Sequence, residues 1–458
     1  MKEQRYSAYS DNRKTNVTWL GELPKHWKMA PIKFHAKFSG GGTPSKDNAA
    51  FWGGDIPWVS PKDMKVPRIR TTQDNVTAEA VDQSSTSIVE EGALLIVVRS
   101  GILQHSIPVA INLVPVTLNQ DMKAVRFART AIADYMIYVV IGNQNLLLLE
   151  WGKQGATVES IEQEYLSNTI FPLPPVDEQL NIANFLDHET AKIDSLIEKQ
   201  QQLIKLLKEK RQAAISHAVT KGLNPEAPMR DSGVEWLGEV PLEWRRARLK
   251  NISNIKYGIG EPPVYQEEGV SLIRATNIRS GRVTRVNMVK VNPNHIPSNR
   301  IVWLSEGDII VVRSGAGTGD SSIIPIEYDG AIAGFDMVLR VKEGEAKFVA
   351  YALLSKYIRK DQIDLEKTRA AQPHLNAEEL GDCFIFVPPK EEQKLIIKYI
   401  DGVVNKHDVL ILKVEETLVL LSERRTAVIS AAVTGKIDVR NWRPPTSNKA
   451  QPNKEATQ

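Results

Sequence analysis

The chain has one cysteine, Cys383, in 458 residues. A single thiol closes no internal disulfide and builds no thiolate metal cluster, so Cys383 is expected to pack as a small hydrophobe in a strand. No uninterrupted apolar run reaches membrane-spanning length, and no charged–apolar–small leader opens the chain. A cytoplasmic protein that avoids the membrane is the expectation. Catalytic signatures are missing as well. There is no G-x-x-x-x-G-K-[ST] loop, no H-E-x-x-H, no pair of cysteine ligands and no Asn-Pro-Pro-aromatic element of the kind that grips a target amine. The glycine-rich GAGTGD at 315–320 lacks a following lysine and reads as a loop after a strand. The eight histidines are scattered; His217 sits where its repeat has Ala431, a solvated helix face. These absences point to no catalytic residue and no metal in this chain. One further absence is local: no Asp or Glu occurs between Gly269 and Ser305.

Hydrophobic residues make up 42% and charged residues 25% of the chain, ordinary for a soluble protein that buries real cores. The length suits about three domains. A net charge of +3 permits nucleic-acid binding without demanding it, so the placement of charge decides.

The arrangement is a duplication. PPVDEQLNIANFLDHETAKIDSLIEKQQQLIKLLKEKRQAAISHAVT, from Pro174 to Thr220, returns from Pro388 to Thr434 as PPKEEQKLIIKYIDGVVNKHDVLILKVEETLVLLSERRTAVISAAVT. Without a gap, Glu178–Gln179 falls on Glu392–Gln393, Asp187 on Asp401, Asp194 on Asp408 and Arg211 on Arg425. Each copy carries a heptad seam. The first is Ile193, Ile197, Gln200, Ile204, Leu207, Arg211, Ala214 and Ala218; the second is His407, Ile411, Val414, Leu418, Leu421, Arg425, Val428 and Ala432. A lone helix cannot bury such a stripe. Either the copies pack on each other as an intramolecular coiled coil, the economical solution, or each covers its own globular neighbour. The polar seam positions either set register or face solvent at the edge.

Upstream, WLGELPKHW at Trp19 returns as WLGEVPLEW at Trp236, and each leads into short strands and turns. IVEEGALLIVVRSG, ending at Gly101, pairs with VWLSEGDIIVVRSG, ending at Gly315; NQDMKAVRF pairs with GFDMVLRV, and GATVESI with AAQPHLN. The expected layout is a loose arm at 1–18, a strand-rich module at 19–175, a helix at 176–221, a linker at 222–235, a second module at 236–389, a helix at 390–440 and a disordered tail at 441–458.

The acid-free stretch carries Arg274, Arg279, Arg282, Arg285, Lys290 and Arg300; its first-module counterpart carries Lys62, Lys65, Arg68 and Arg70. Lys65 maps onto Arg279 and Arg68 onto Arg282. A basic face present twice fits phosphate contact; the alternative is a strand edge kept soluble by its cations. Interleaved with it are Ser60, Arg99, Ser100, Gln104, Thr276, Asn277, Arg313, Ser314 and Thr318, residue types that read base edges.

The ordered set resembles the specificity subunits of Type I restriction–modification enzymes. It comprises the doubled WLGE-x-P-x-x-W, the Pro-Pro exits, the Glu-Gln helix starts, the VVRSG strand ends and the AVT helix ends, and it covers 19 to about 439. The resemblance implies an α+β fold. Two strand-rich target recognition domains would be separated by two long helices packed as an antiparallel intramolecular coiled coil, with internal pseudo-two-fold symmetry. Each module would read one half of a split, asymmetric target in double-stranded DNA. The helices would space the modules and dock two methylation subunits, through seams that include Ile193, Ile197, Ile204, Leu207, Arg211, Ile411, Val414, Leu418, Leu421 and Arg425. Two restriction subunits could join through these partners. S-adenosylmethionine, ATP and Mg²⁺ would sit on partner subunits, with no cofactor on this chain. A helix over 187–219 would span roughly 48 Å, against about 34–36 Å for a DNA turn. Two other classes stay open: a protein-binding scaffold, and a single-chain enzyme, which the missing cofactor motifs disfavour.

Overall fold

The computed structural model of the protein describes residues 6–152, 158–364 and 374–444. The chain divides into two compact units, Met1–Lys199 with Thr417–Gln458, and Gln200–Glu416. The division cuts both long helices, Val176–Lys221 and Lys390–Val433, near their middles. The expected borders between modules and helices are therefore not the borders of the compact units.

The first unit holds a five-stranded sheet in the order Ala36–Gly40, Met122–Phe127, Leu94–Val97, Val109–Asn112, Arg68–Ile69. A smaller sheet has Trp52–Val59 at its centre, parallel to Thr117–Leu118 and antiparallel to Asp74–Val76. The second unit repeats this plan. Ser253–Tyr257, Met337–Val341, Ile309–Val311 and Ser321–Ile323 form one sheet. Val270–Ile273 is the centre of another, parallel to Ile332–Ala333 and antiparallel to Val289–Val291. The strands Leu94–Val97 and Ile309–Val311 are apolar on both faces because both faces are covered, and their residues are fully buried.

Each module also contains a helix that its strand-rich reading did not foresee: Ala133–Trp151 in the first and Ala346–Leu354 in the second. The first is apolar nearly all round, so its sequence shows no amphipathic period. Its Gly142 lies against Ile429 and Ser430 of the second long helix, where a Cβ would collide.

The doubled motifs are the joints of each unit. Trp27 and Trp244 are 1% exposed. Their indole Nε1 atoms donate to Glu178 at 2.9 Å and Glu392 at 3.0 Å. Burial pushes the Glu392 carboxyl above its ordinary range. The neighbouring Gln179 donates to the Pro174 carbonyl at 2.8 Å and accepts from the backbone N–H of Ile132 at 3.1 Å. Gln393 does the same with Pro388 at 2.8 Å and Glu345 at 2.7 Å. One amide side chain thus ties the start of each long helix to the start of the module helix, satisfying a backbone donor there. In both W-L-G-E turns the glycine, Gly21 or Gly238, has a positive φ of 61° or 67°, which a Cβ would strain.

Within each unit, half of one long helix runs antiparallel to half of the other. In the first, Ile182, Phe185 and Leu186 share a core with Ile429, Ala432 and Val433, and Arg425 Nε reaches Asp194 at 2.8 Å. In the second, Ile215, Ala218 and Val219 share a core with Ile396 and Ile400, and Arg211 reaches Asp408 at 2.6 Å. Asp194 and Asp408 are repeat equivalents, as are Arg211 and Arg425, so the same pair forms twice with its helices exchanged. Both seam arginines are therefore paired across helices rather than solvated. Every expected seam position is covered: Ile193 and Ile411 are buried, while Ile197, Ile204, Leu207, Val414, Leu418 and Leu421 are half-buried.

Two expected loose segments are packed. In the N-terminal stretch, Asn12–Lys14 pairs with Glu22–Pro24 and Tyr9 is buried. In the linker, Met229–Asp231 pairs with Glu239–Pro241. Arg13 and Arg230 reach the carbonyls of Trp27 and Trp244 at 2.7 and 2.6 Å, so the repeat begins before the doubled tryptophans. Of the 441–458 tail only 441–444 is described, where Trp442 packs edge-on against Phe185. Residues 1–5, and the parts of GATVESI and AAQPHLN at 153–157 and 371–373, lie outside the described residues. Cys383 is buried just before the strand Phe384–Val387 rather than inside it.

Candidate nucleic-acid interface

In each module the strand-end loops converge on a pocket. In the first, Trp52, Trp58, Lys46, Lys62 and Asp121 line a cavity of about 520 Å³. In the second, Tyr265, Arg274, Thr276, Ser314, Phe335 and Asp336 line one of about 360 Å³. The pockets are equivalent in construction: each sits between the end of the central strand of the small sheet and the turn before Met122 or Met337. That turn is held from behind by a glycine. A Cβ on Gly41 would overlap the Asn119 carbonyl, and one on Gly258 the Gly334 carbonyl. The backbone approaches so closely that only glycine fits.

The chemistry at equivalent positions differs. Arg99 turns onto Asp121, with Nε to Oδ1 at 2.7 Å. Arg313 instead lies between two rings, 4.6 Å from the centroid of Tyr257 and 4.2 Å from that of Phe335. Its backbone N–H donates to Asp336 at 3.2 Å. Asp336 is 2% exposed, and burial raises its carboxyl from 3.8 to about 6.

Lys62, Lys65, Arg99 and Gln104 are exposed on the first module, and Ser100 caps the short turn at Gly101–Gln104. Thr276 and Arg279 are exposed on the second, and Ser314 bridges to His374. Arg274 is half-buried; it bonds the Asn287 carbonyl at 2.6 Å and stacks on Tyr265.

Besides Arg99 and Arg274, whose guanidinium groups are already partnered, five expected contact residues are occupied or enclosed. Arg68 pairs with Asp134 at 2.7 Å and Asp187 at 3.3 Å, and Arg282 pairs with Asp408. These two cations brace a module against its long helix instead of standing free for phosphates. Asn277 is fully buried, because its amide closes the turn through the Thr284 and Val286 carbonyls. Thr318 is fully buried and donates to the Gly315 carbonyl. Both polar side chains are spent on the loop's own backbone, a use that composition does not distinguish from base reading. Ser60 is likewise buried and tied to Asp63.

The sequence reading missed Asp121, Asp336, Tyr265, Phe335, Trp52 and Trp58. The doubled Asp-Met at Asp121 and Asp336 was the available signal, since it survives in loops that otherwise diverge. Among the described residues, no cluster of His, Cys, Asp and Glu is placed to hold a metal ion, and no helix is long and apolar enough to cross a membrane.

The described residues form a doubled α+β module with a polar strand-end pocket in each copy, and two long helices that pair antiparallel within each unit. The family profile described as Type I restriction modification DNA specificity domain matches residues 24–206 and 241–416, and the chain belongs to this family. It is 36% identical over 248 residues to the EcoR124I/EcoR124II specificity subunit of Escherichia coli. That match spans 52% of this chain and 52% of the relative, about half its length. It is 24% identical over 438 residues to the MjaIX specificity subunit of Methanocaldococcus jannaschii, covering 92% of this chain and 96% of that one. A solved structure describing complex assembly and conformational transition of the type I R-M system superposes with a TM-score of 0.68 at 18% identity. It covers 91% of this chain and 99% of that one, a likeness of fold.

Proposed function

We propose that this chain is the DNA-reading, non-catalytic subunit of a cytoplasmic Type I restriction–modification complex. Each module reads one half of a bipartite, asymmetric target. The observation that carries this reading is one scaffold built twice with different chemistry at equivalent positions beside the pocket aspartates: Arg99 on Asp121 in one module, Arg313 between rings with its backbone on Asp336 in the other. A protein reading the same feature twice would repeat the contact residues along with the glycines and tryptophans. Exposed Lys62, Lys65 and Arg279 supply phosphate contacts, which position without specifying.

Docking of two methylation subunits, and of restriction subunits through them, falls to the long helices. The seam residues are used up inside the coiled coil. The surface left for partners is the exposed apolar set Leu196, Leu206, Leu412, Val419 and Leu420, 41–63% exposed. S-adenosylmethionine, ATP and Mg²⁺ then belong to those partners. The test is reconstitution with the methylation subunit encoded beside this chain. Transfer of methyl groups to adenine in one split motif supports the reading. Methylation that ignores sequence, or a complex that forms without affecting DNA, overturns it.

A further inference from the structure

The pocket of the second module is unfinished in a way that the first is not. Asp336 is nine-tenths buried and more, yet its Oδ2 has no hydrogen-bond partner. Its other bonds come from the backbone N–H groups of Arg313 and Ala275. The Nε atoms of Arg274 and Arg313, beside it, are also buried without partners. Buried polar atoms in native proteins are nearly always satisfied. Two of them, Asp336 Oδ2 and Arg274 Nε, belong to residues that line one cavity, and they mark a place completed by something that enters it. In the first module the same carboxylate is already taken by Arg99.

The lining restricts the chemistry of the occupant. A carboxylate oxygen lacking a donor excludes an anion at that point. The Arg274 guanidinium in the lining disfavours a cation, and the other acid there, Glu261, is already paired with Arg300 at 3.0 Å. Tyr265, Phe335, Pro262 and Pro263 provide flat apolar walls. What remains is a neutral, planar ring with an N–H donor on its edge. The volume of about 360 Å³ lies within the range of small-molecule sites.

We infer that this pocket takes a nucleobase carrying an exocyclic amine, cytosine, adenine or guanine, whose amino group donates to Asp336 Oδ2 while its ring lies against Tyr265 and Phe335. The inference rests on the DNA-reading proposal and deepens it. A carboxylate set inside a cavity meets a base only when that base has left the stack. A free nucleotide has the same chemistry as an extruded one, and the test separates the two.

The full chain is titrated by calorimetry with dCMP, dAMP, dGMP and dTMP. At least one of dCMP, dAMP and dGMP is expected to bind at least tenfold more tightly than dTMP, which offers no exocyclic amine. Asp336→Ala is expected to erase that preference, and Phe335→Ala to weaken all binding while keeping it; thermal melts confirm that both variants fold. Saturation by none of the four, equal affinity for all, or a preference that survives Asp336→Ala would mean a pocket filled by water only and overturns the inference. A duplex carrying the methylation motif is then added. Displacement of the nucleotide supports an extruded base, whereas simultaneous binding overturns the DNA origin and assigns the site to a free nucleotide. Sequence-specific methylation that persists when no nucleotide binds counts against this inference alone. Methylation that loses all sequence dependence in the wild-type complex counts against the reader proposal instead.

Discussion

In the first module an arginine side chain closes on an aspartate; in the second, the equivalent side chain lies between aromatic rings and only its backbone N–H reaches the aspartate. Everything behind these positions is shared. Gly41 and Gly258 admit the turn that carries the aspartate, Gln179 and Gln393 fix the helix starts, and Trp27 and Trp244 fill the joints. Shared residues are those whose replacement costs stability, and divergent ones face the cavity. Duplication kept the frame, where packing tolerates little change, and released the rim, where exposed residues are energetically cheap to alter.

The comparison breaks most sharply at the joints. Trp27→Ala should cost about 3–5 kcal/mol and loosen the first unit while the second keeps its protection in hydrogen exchange. Trp244→Ala should do the reverse. Uniform loss of protection across both units would show that they are not separate cores. Next come the divergent pairs. Arg99→Ala should relax base preference by about 1–3 kcal/mol in one half of the target, and Arg313→Ala in the other half, read by competition binding with single-base variants.

The buried acid sharpens the contrast through pH. Its folded value, about 6, lies above the ordinary 3.8, so the native state holds the proton more tightly than the unfolded chain does. Stability should therefore fall as pH rises from about 4 to about 6, and the full penalty, on the order of 1–3 kcal/mol, should persist above that. Asp336→Asn should remove this slope and raise the melting temperature at pH 8. A melting curve with the wild-type slope would contradict the burial argument. The exchanged ion pairs are smaller. A double-mutant cycle on Arg211 and Asp408 should give about 1 kcal/mol, and one on the more exposed Arg425 and Asp194 should give less. The smallest effect belongs to Lys62 and Lys65. Each Lys→Ala should weaken binding to all sequences alike and reduce the slope of log K against log salt by about 1.

The long helices and their seam were legible because a heptad repeat written twice is a strong periodic signal. Every position it marked is covered in the structure. The helix start at Val176, before 187, was also foreshadowed by Pro174–Pro175 and Glu178–Gln179. The module helix Ala133–Trp151 was not, since an all-round apolar run carries no period. At the candidate site, exposed Lys62, Lys65, Thr276 and Arg279 were readable as polar loop residues. Asn277 and Thr318 misled because an amide or hydroxyl that closes its own turn looks, in sequence, like one offered to DNA. Arg68 and Arg282 misled because their acids lie far away in the chain, at Asp134, Asp187 and Asp408.

The central claim is that the two modules read separate half-sites. Genome-wide mapping of methylated adenine, in a host carrying this chain and its methylation subunit, tests it when the second module, 236–389, is replaced by that of a relative. The account predicts a motif in which one half changes and the other half stays as it was. A motif that changes in both halves, or in neither, would contradict it.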